Sequence, residues 1–176
     1  MNWKFILERD GPTAWRAAYR LLDNAADADD CLQDAMLAAV QLSRRDPVSN
    51  WRALLTRLAS ARAMDRLRQR YRGRNLQEVV EGQAASLPAT QDPGAAAQLN
   101  ELRDQLRAAL AQLSSDQAAA FCLCALEGWT YAEAGQQLKT PASTVGVLVH
   151  RARQELSELL RVVNPNPDLA ASRSPR

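Results

Sequence analysis

Residues 130–160 read TYAEAGQQLKTPASTVGVLVHRARQELSELL, and this stretch decides the fold class. Thr130, with Glu133 three places on, has the spacing of a capping box and opens a short helix. Thr140 caps a second, longer helix, with Pro141 at its first position, where a missing N–H costs nothing. Val145, Val149, Ala152, Leu156 and Leu159 recur at helical spacing and predict its inward face. A short helix, a tight connection at Lys139-Thr140 and a longer helix make a helix-turn-helix pattern.

Working outward, Glu127-Gly128-Trp129 reads as a turn with Gly128 just past a helix end. The helix before it carries Phe121, Leu123 and Leu126 and is capped by Ser114 or Ser115. Leu99, Leu102, Leu106, Leu110 and Leu113 fit one helix upstream. Residues 98–162 thus form one helical block. Residues 163–176, rich in Pro, Ser and Asn, predict a disordered tail.

A first block covers residues 1–72. Asp10, Gly11 and Pro12 are expected to punctuate the start of its first helix, on which Trp15, Ala18, Tyr19 and Leu22 share a face. Asp23-Asn24 breaks that helix, and Asp27 is the expected cap of the next, with Asp29 and Asp30 favourably placed against the helix dipole. After Asp46-Pro47, Ser49 or Asn50 caps a long third helix with Leu54, Leu58, Ala61, Met64 and Leu67 inward. Residues 73–97 contain Gly82, Pro88, Pro93 and Gly94 without an apolar stripe. They predict a flexible linker that lets the two blocks move independently.

The expected fold class is therefore all-α, with two small helical domains. Composition agrees: Ala, Leu, Arg and Gln are strong helix formers, and aromatics are only 5 % of the chain. Net charge is only +2, but the charge is unevenly placed. Eight arginines lie between Asn50 and Asn75 against one acid, Asp65, and four aspartates lie between Asn24 and Asp34 with no base. That asymmetry predicts a face for nucleic acid and a separate face for a basic partner.

Three cysteines, Cys31, Cys122 and Cys124, make no even disulfide set and predict reduced thiols in a cytoplasmic protein. No apolar run has the length of a membrane span or signal peptide. His150 is the single histidine and has no convergent ligands, so no metal or cofactor is expected. There is no Gly-rich phosphate loop and no nucleophile elbow, which argues against an enzyme.

The segment Asp27-Ala28-Asp29-Asp30-Cys31-Leu32-Gln33-Asp34 resembles the sigma-70 family, specifically its small extracytoplasmic-function (ECF) group. The resemblance continues through Arg57-Leu58-Ala59 and Met64-Asp65-Arg66-Leu67-Arg68. It resumes at Leu113, Glu127 to Glu133, Thr144-Val145 and Arg151-Ala152-Arg153. It implies a transcription initiation factor that binds core RNA polymerase and promoter DNA and is often held by an anti-sigma factor. It further implies that Asp29, Asp30, Gln33 and Asp34 dock on the polymerase; Asp30, Gln33 and Asp34 share a face by their spacing. By the same resemblance Trp51, Arg62, Arg66, Arg68 and Arg70, with the loop from Ser43 to Ser49, contact the −10 element. For each there is a plainer alternative: capping aspartates, a core Trp at a helix start, or a solvated arginine face.

Ser143, Thr144, His150, Arg151 and Arg153 are the implied −35 contacts. Here the chain departs from the pattern of the family it resembles, since Gly146, Val147 and Leu148 stand where the usual Lys, Ser and Arg would be. Leu54 and Ala61 likewise replace the family's Trp and Asn. Two rival readings follow: a sigma-like DNA-binding regulator, or an interaction module whose second block binds a regulator instead of DNA.

Overall fold

A computed structural model describes residues 2–72 and 93–163. Among the described residues the chain is helical and has no strand. Three helices make the first region: α1 (Trp3–Leu22), α2 (Ala25–Ser43) and α3 (Trp51–Tyr71). Four make the second: α4 (Pro93–Gln112), α5 (Ser115–Phe121), α6 (Tyr131–Leu138) and α7 (Ala142–Val163). Residues Cys122–Leu126 extend α5 by one widened, π-helical turn.

In the first region the helices approach along small side chains. Ala14, Ala18, Ala28, Cys31, Ala35, Ala39, Ala59 and Ala63 are fully buried, with Leu21, Leu22, Leu55 and Leu67 filling the space between them. This is how a chain poor in large aromatics still closes a core.

Local signals set the helix ends, with some differences from expectation. α1 does not begin after the expected punctuation at Asp10-Gly11-Pro12 but at Trp3, capped by Asn2, and it runs through Gly11-Pro12. The interior proline forfeits a hydrogen bond, at about 3 kcal/mol. Tertiary contacts offset it: Ile6 is buried, Trp3 packs edge-on against Trp51 at 5.2 Å, and Asp10 is buried rather than a break. The Asp10 carboxylate accepts from Arg9 at 2.7 Å and lies 3.7 Å from Arg52. At the other end Asp23 takes the left-handed conformation, φ 53°, and stops the helix. The cap of α2 is Asn24 rather than Asp27, because the Asn24 side chain accepts from the Asp27 N–H at 3.0 Å. Asn50 caps α3.

The second region follows its punctuation closely. Capping boxes close at Ser114–Gln117 and Thr130–Glu133. Hydrogen bonds from Thr130 hold the Glu133 carboxyl below its ordinary pKa. Gly128, at φ 74°, ends the widened turn. The helix-turn-helix connection folds back so tightly that a Cβ at Gly135 would sit 2.7 Å from the Thr140 carbonyl oxygen. Pro141, not Thr140, supplies the first carbonyl of α7, one place later than expected, to the Val145 N–H. Val145, Val149, Ala152 and Leu156 are buried on the inner face.

The expected linker, residues 73–97, and the tail, 163–176, lie mostly outside the described residues. Where they are described, both ends are helical: α4 starts at Pro93, five residues early, and α7 reaches Val163. Leu99, Leu102 and Leu106 are exposed, so only the last turns of α4 enter a core.

The two regions are not independent bodies. Ala108, Ala109, Leu110, Leu113, Ala118, Cys122, Ala152 and Leu156 join the first region in one continuous apolar cluster. Polar ties flank it. Arg107 donates to the Leu21 carbonyl at 3.0 Å and pairs with Asp23 at 3.1 Å. Arg20 donates to the Leu126 carbonyl at 2.9 Å and to Glu127 at 3.0 Å. A smaller cluster of Ala120, Leu123, Ala134, Val145 and Val149 lies within the second region alone, where α5 and its widened turn meet the helix-turn-helix.

Candidate nucleic-acid interface

The acidic stretch and the basic helix, expected on separate faces, meet. α2 and α3 lie side by side, so Arg66 reaches Asp27 at 2.7 Å and Asp30 at 3.1 Å. Arg70 pairs with Asp27 at 3.0 Å. Asp29 accepts from the Trp15 indole N–H at 2.7 Å, and Trp15 stacks on Tyr19. These pairs are partly solvated, so each contributes under about 1 kcal/mol; what they do is fix geometry. Gln33 and Asp34 remain exposed and, among the described residues, unpaired. Beneath the acids, burial pushes the Cys31 thiol up to about 11 and so keeps it uncharged.

The candidate −10 residues divide. Arg62 is exposed and unpaired among the described residues, beside Asp34 and Gln41 in a shallow groove. Arg68 pairs with Asp65 at 3.3 Å and donates to the Leu113 carbonyl at 3.2 Å, so it ties the regions together. Trp51 is half-buried and packs edge-on against Trp3. Sequence reasoning named the loop from Ser43 to Ser49 without singling out Arg44 and Arg45. Both are exposed and, among the described residues, unpaired, next to the start of α3. Their adjacency to Pro47, in a loop with no apolar periodicity, was the available signal.

In the second region Ser143, Thr144, His150, Arg151 and Arg153 are all exposed on α7. Ser143, Val147 and His150 follow i, i+4, i+7 spacing and form one stripe. Val147 is 49 % exposed, whereas Leu148 packs into the smaller cluster. The apolar pair is therefore split: one residue faces outward, the other is core. A Cβ at Gly146 would lie 3.3 Å from the Tyr131 ring, a close approach that this exposed ring relieves by a small shift.

The chain matches the family model for sigma-70 region 2 over residues 6–73 and that for sigma-70 region 4 over residues 103–156. It is 32 % identical over 152 residues to the ECF RNA polymerase sigma factor EcfG of Rhodopseudomonas palustris, covering 86 % of this chain and 81 % of the relative. The chain belongs to the ECF group of the sigma-70 family. This sigma factor is also 29 % identical to the ECF sigma factor SigE of Mycolicibacterium smegmatis, over 90 % of its own length and 62 % of the relative's. Two solved structures are similar to it. One is the sigma factor RpoE bound to the anti-sigma factor NepR, from Bartonella quintana, with TM-score 0.53, 27 % identity, and 90 % and 96 % of the two chains covered. The other is CnrH bound to the cytosolic domain of CnrY, with TM-score 0.56, 26 % identity, and 91 % and 88 % covered. Among the described residues of this sigma factor no helix is long and apolar enough to cross a membrane.

Proposed function

We propose that this sigma factor directs core RNA polymerase to promoters in the cytoplasm and catalyses no reaction itself, the polymerase supplying the chemistry. The observation that carries this reading is the pairing of α2 with α3. Arg66 and Arg70 set the acidic face from one side; among the described residues Arg62 stays free beside it, and Arg44 and Arg45 stay free after the end of α2, for DNA. In this reading residues 1–72 are the polymerase- and −10-binding unit, 73–97 the connection and 98–162 the −35 unit. Asp29, Asp30, Gln33 and Asp34 dock on the polymerase. Run-off transcription with purified core polymerase tests it: the factor should yield a discrete transcript from its own promoter, and none from a template lacking the −10 element.

Among the candidate −10 residues, Arg62, Arg44 and Arg45 are the phosphate contacts. Each phosphate neutralised steepens the salt dependence of binding by about 0.7 to 0.9 in log–log slope. Replacing all three with Ala should flatten the slope of promoter binding by about 2. Arg66→Ala should leave the slope nearly unchanged, because that guanidinium is already engaged by Asp27 and Asp30.

The −35 contacts of Ser143, Thr144, His150, Arg151 and Arg153 are expected to be weak. Gly146 and Val147 offer no long donor to a base edge, and Val147 offers only methyl contact to thymine. With the full-length factor, scrambling the −35 hexamer should change promoter affinity by less than about tenfold, against a base-pair discrimination of about 1–3 kcal/mol for an ordinary bidentate contact. A second reading, that α7 also meets a protein regulator, draws on exposed Val147 in the middle of the stripe. An anti-sigma factor is the partner class, as for the two similar solved structures.

A further inference from the structure

The acids at the start of α2 are held in two different ways. Asp27 and Asp30, three places apart, face α3, where Arg66 and Arg70 pair with them. Asp29 stands on another face of the helix and reaches α1 instead. Its carboxylate accepts from the Trp15 indole N–H at 2.7 Å, a contact between residues 14 places apart. Asp29 is exposed, and among the described residues no cation pairs with it. The difference is one of charge. An arginine that orients a carboxylate also neutralises it. An indole N–H donates without carrying a formal charge, so it fixes the Asp29 carboxylate and leaves the negative charge whole.

The indole is itself held. Trp15 is half-buried and packs against the main apolar cluster. Its ring stacks on Tyr19, with centroids 5.0 Å apart and planes 8° from parallel. A short bond to a fixed ring removes in advance the rotamer freedom that an exposed aspartate loses on docking, and that lowers the cost of association. We propose that Trp15 is a positioning residue for polymerase docking: it holds Asp29, charged and pre-oriented, for a basic side chain of the core enzyme. The docking surface of α2 then has a support on α1, where spacing marked Trp15 only as part of an apolar face. This role rests on the reading of Asp29 as a polymerase contact, and Trp15 acts through that residue.

A double-mutant cycle tests it, with the affinity of the full chain for core RNA polymerase measured at one fixed ionic strength. Asp29→Asn keeps an acceptor for the indole and removes the charge; it should weaken binding about tenfold. Trp15→Phe keeps a ring and removes the N–H; it should weaken binding about fivefold, because the acid is no longer held. In the Asp29→Asn background, Trp15→Phe should cost less than about twofold, since no charge is left to position. Tyr19→Ala, at an exposed position, loosens the indole without touching the core and should show the same dependence on Asp29 with a smaller loss. Circular dichroism and melting temperature check the fold of each variant. Equal losses on Trp15→Phe in both backgrounds mean that Trp15 serves packing alone, and the proposal falls while Asp29 keeps its contact. Unchanged affinity in Trp15→Phe overturns it in the same way. If Asp29→Asn binds as tightly as the parent chain, the docking reading at Asp29 fails and takes the proposal with it.

Discussion

A variant with Asp30 and Asp34 both reversed to lysine is expected to bind core RNA polymerase about 100-fold more weakly, roughly 3 kcal/mol. Asp34 is exposed with no internal partner among the described residues, so its full charge is available to a partner. Asp30 is pinned by Arg66 at 3.1 Å, which orients the carboxylate without burying it. Reversal replaces attraction with repulsion at both places and sets a second cation against Arg66. The cost to folding should stay small, because the Asp30–Arg66 pair is half-solvated and contributes under about 1 kcal/mol. Titration against core polymerase, with melting temperature measured in parallel, separates the two effects. Unchanged affinity in a folded variant would remove α2 from the docking surface. Asp27→Asn gives the complementary result. It frees Arg70 from its acid and leaves Arg66 with Asp30 alone, so polymerase affinity should fall while the salt slope of promoter binding rises.

Truncating Leu113 to Ala is expected to destabilise the whole chain by about 3 kcal/mol. Leu113 is nearly fully buried in the cluster that joins the two regions, and its carbonyl accepts from Arg68 of α3. A core shared in this way makes the regions melt together, so calorimetry should show one transition, lowered by roughly 6–12 °C in the variant. Arg107→Ala should act in the same direction more weakly, since it removes the bond to the Leu21 carbonyl and the pair with Asp23. Two transitions, of which Leu113→Ala moves only one, would mean that the regions fold separately and that their contact contributes little.

Much of the local structure was legible in the chain. Thr130 with Glu133, Ser114, Asn50 and Gly128 are short-range devices whose partners lie within a few residues. The Thr130–Glu133 box follows from spacing alone, whereas Ser114 over Ser115 and Asn50 over Ser49 were choices that the structure made. The errors arise where distant residues intervene or where two neighbouring residues could each cap a helix. Gly11-Pro12 reads as a break on propensity, yet Trp3 meeting Trp51 and Asp10 meeting Arg52 hold α1 straight through it. Asp27 reads as a cap, but Asn24 stands three residues earlier and takes that role.

The sites divide along the same line. Composition marks an acidic stretch and an arginine-rich helix, and family motifs assign each a partner. Periodicity says which residues share a face of one helix; it does not say which helix lies alongside. The packing of α2 against α3 commits Arg66 and Arg70 to Asp27 and Asp30 and leaves Arg62 free. Val147 and Leu148 look alike in sequence, and only the position of the smaller cluster sends one outward and the other in. By itself, then, the sequence determined the all-helical class, several of the caps, the helix-turn-helix and the family, because these rest on contacts within a few residues or on ordered motifs. The tertiary structure alone decided which charges are spent on one another and that the two regions share a core, because those depend on contacts between residues 36 to 107 positions apart.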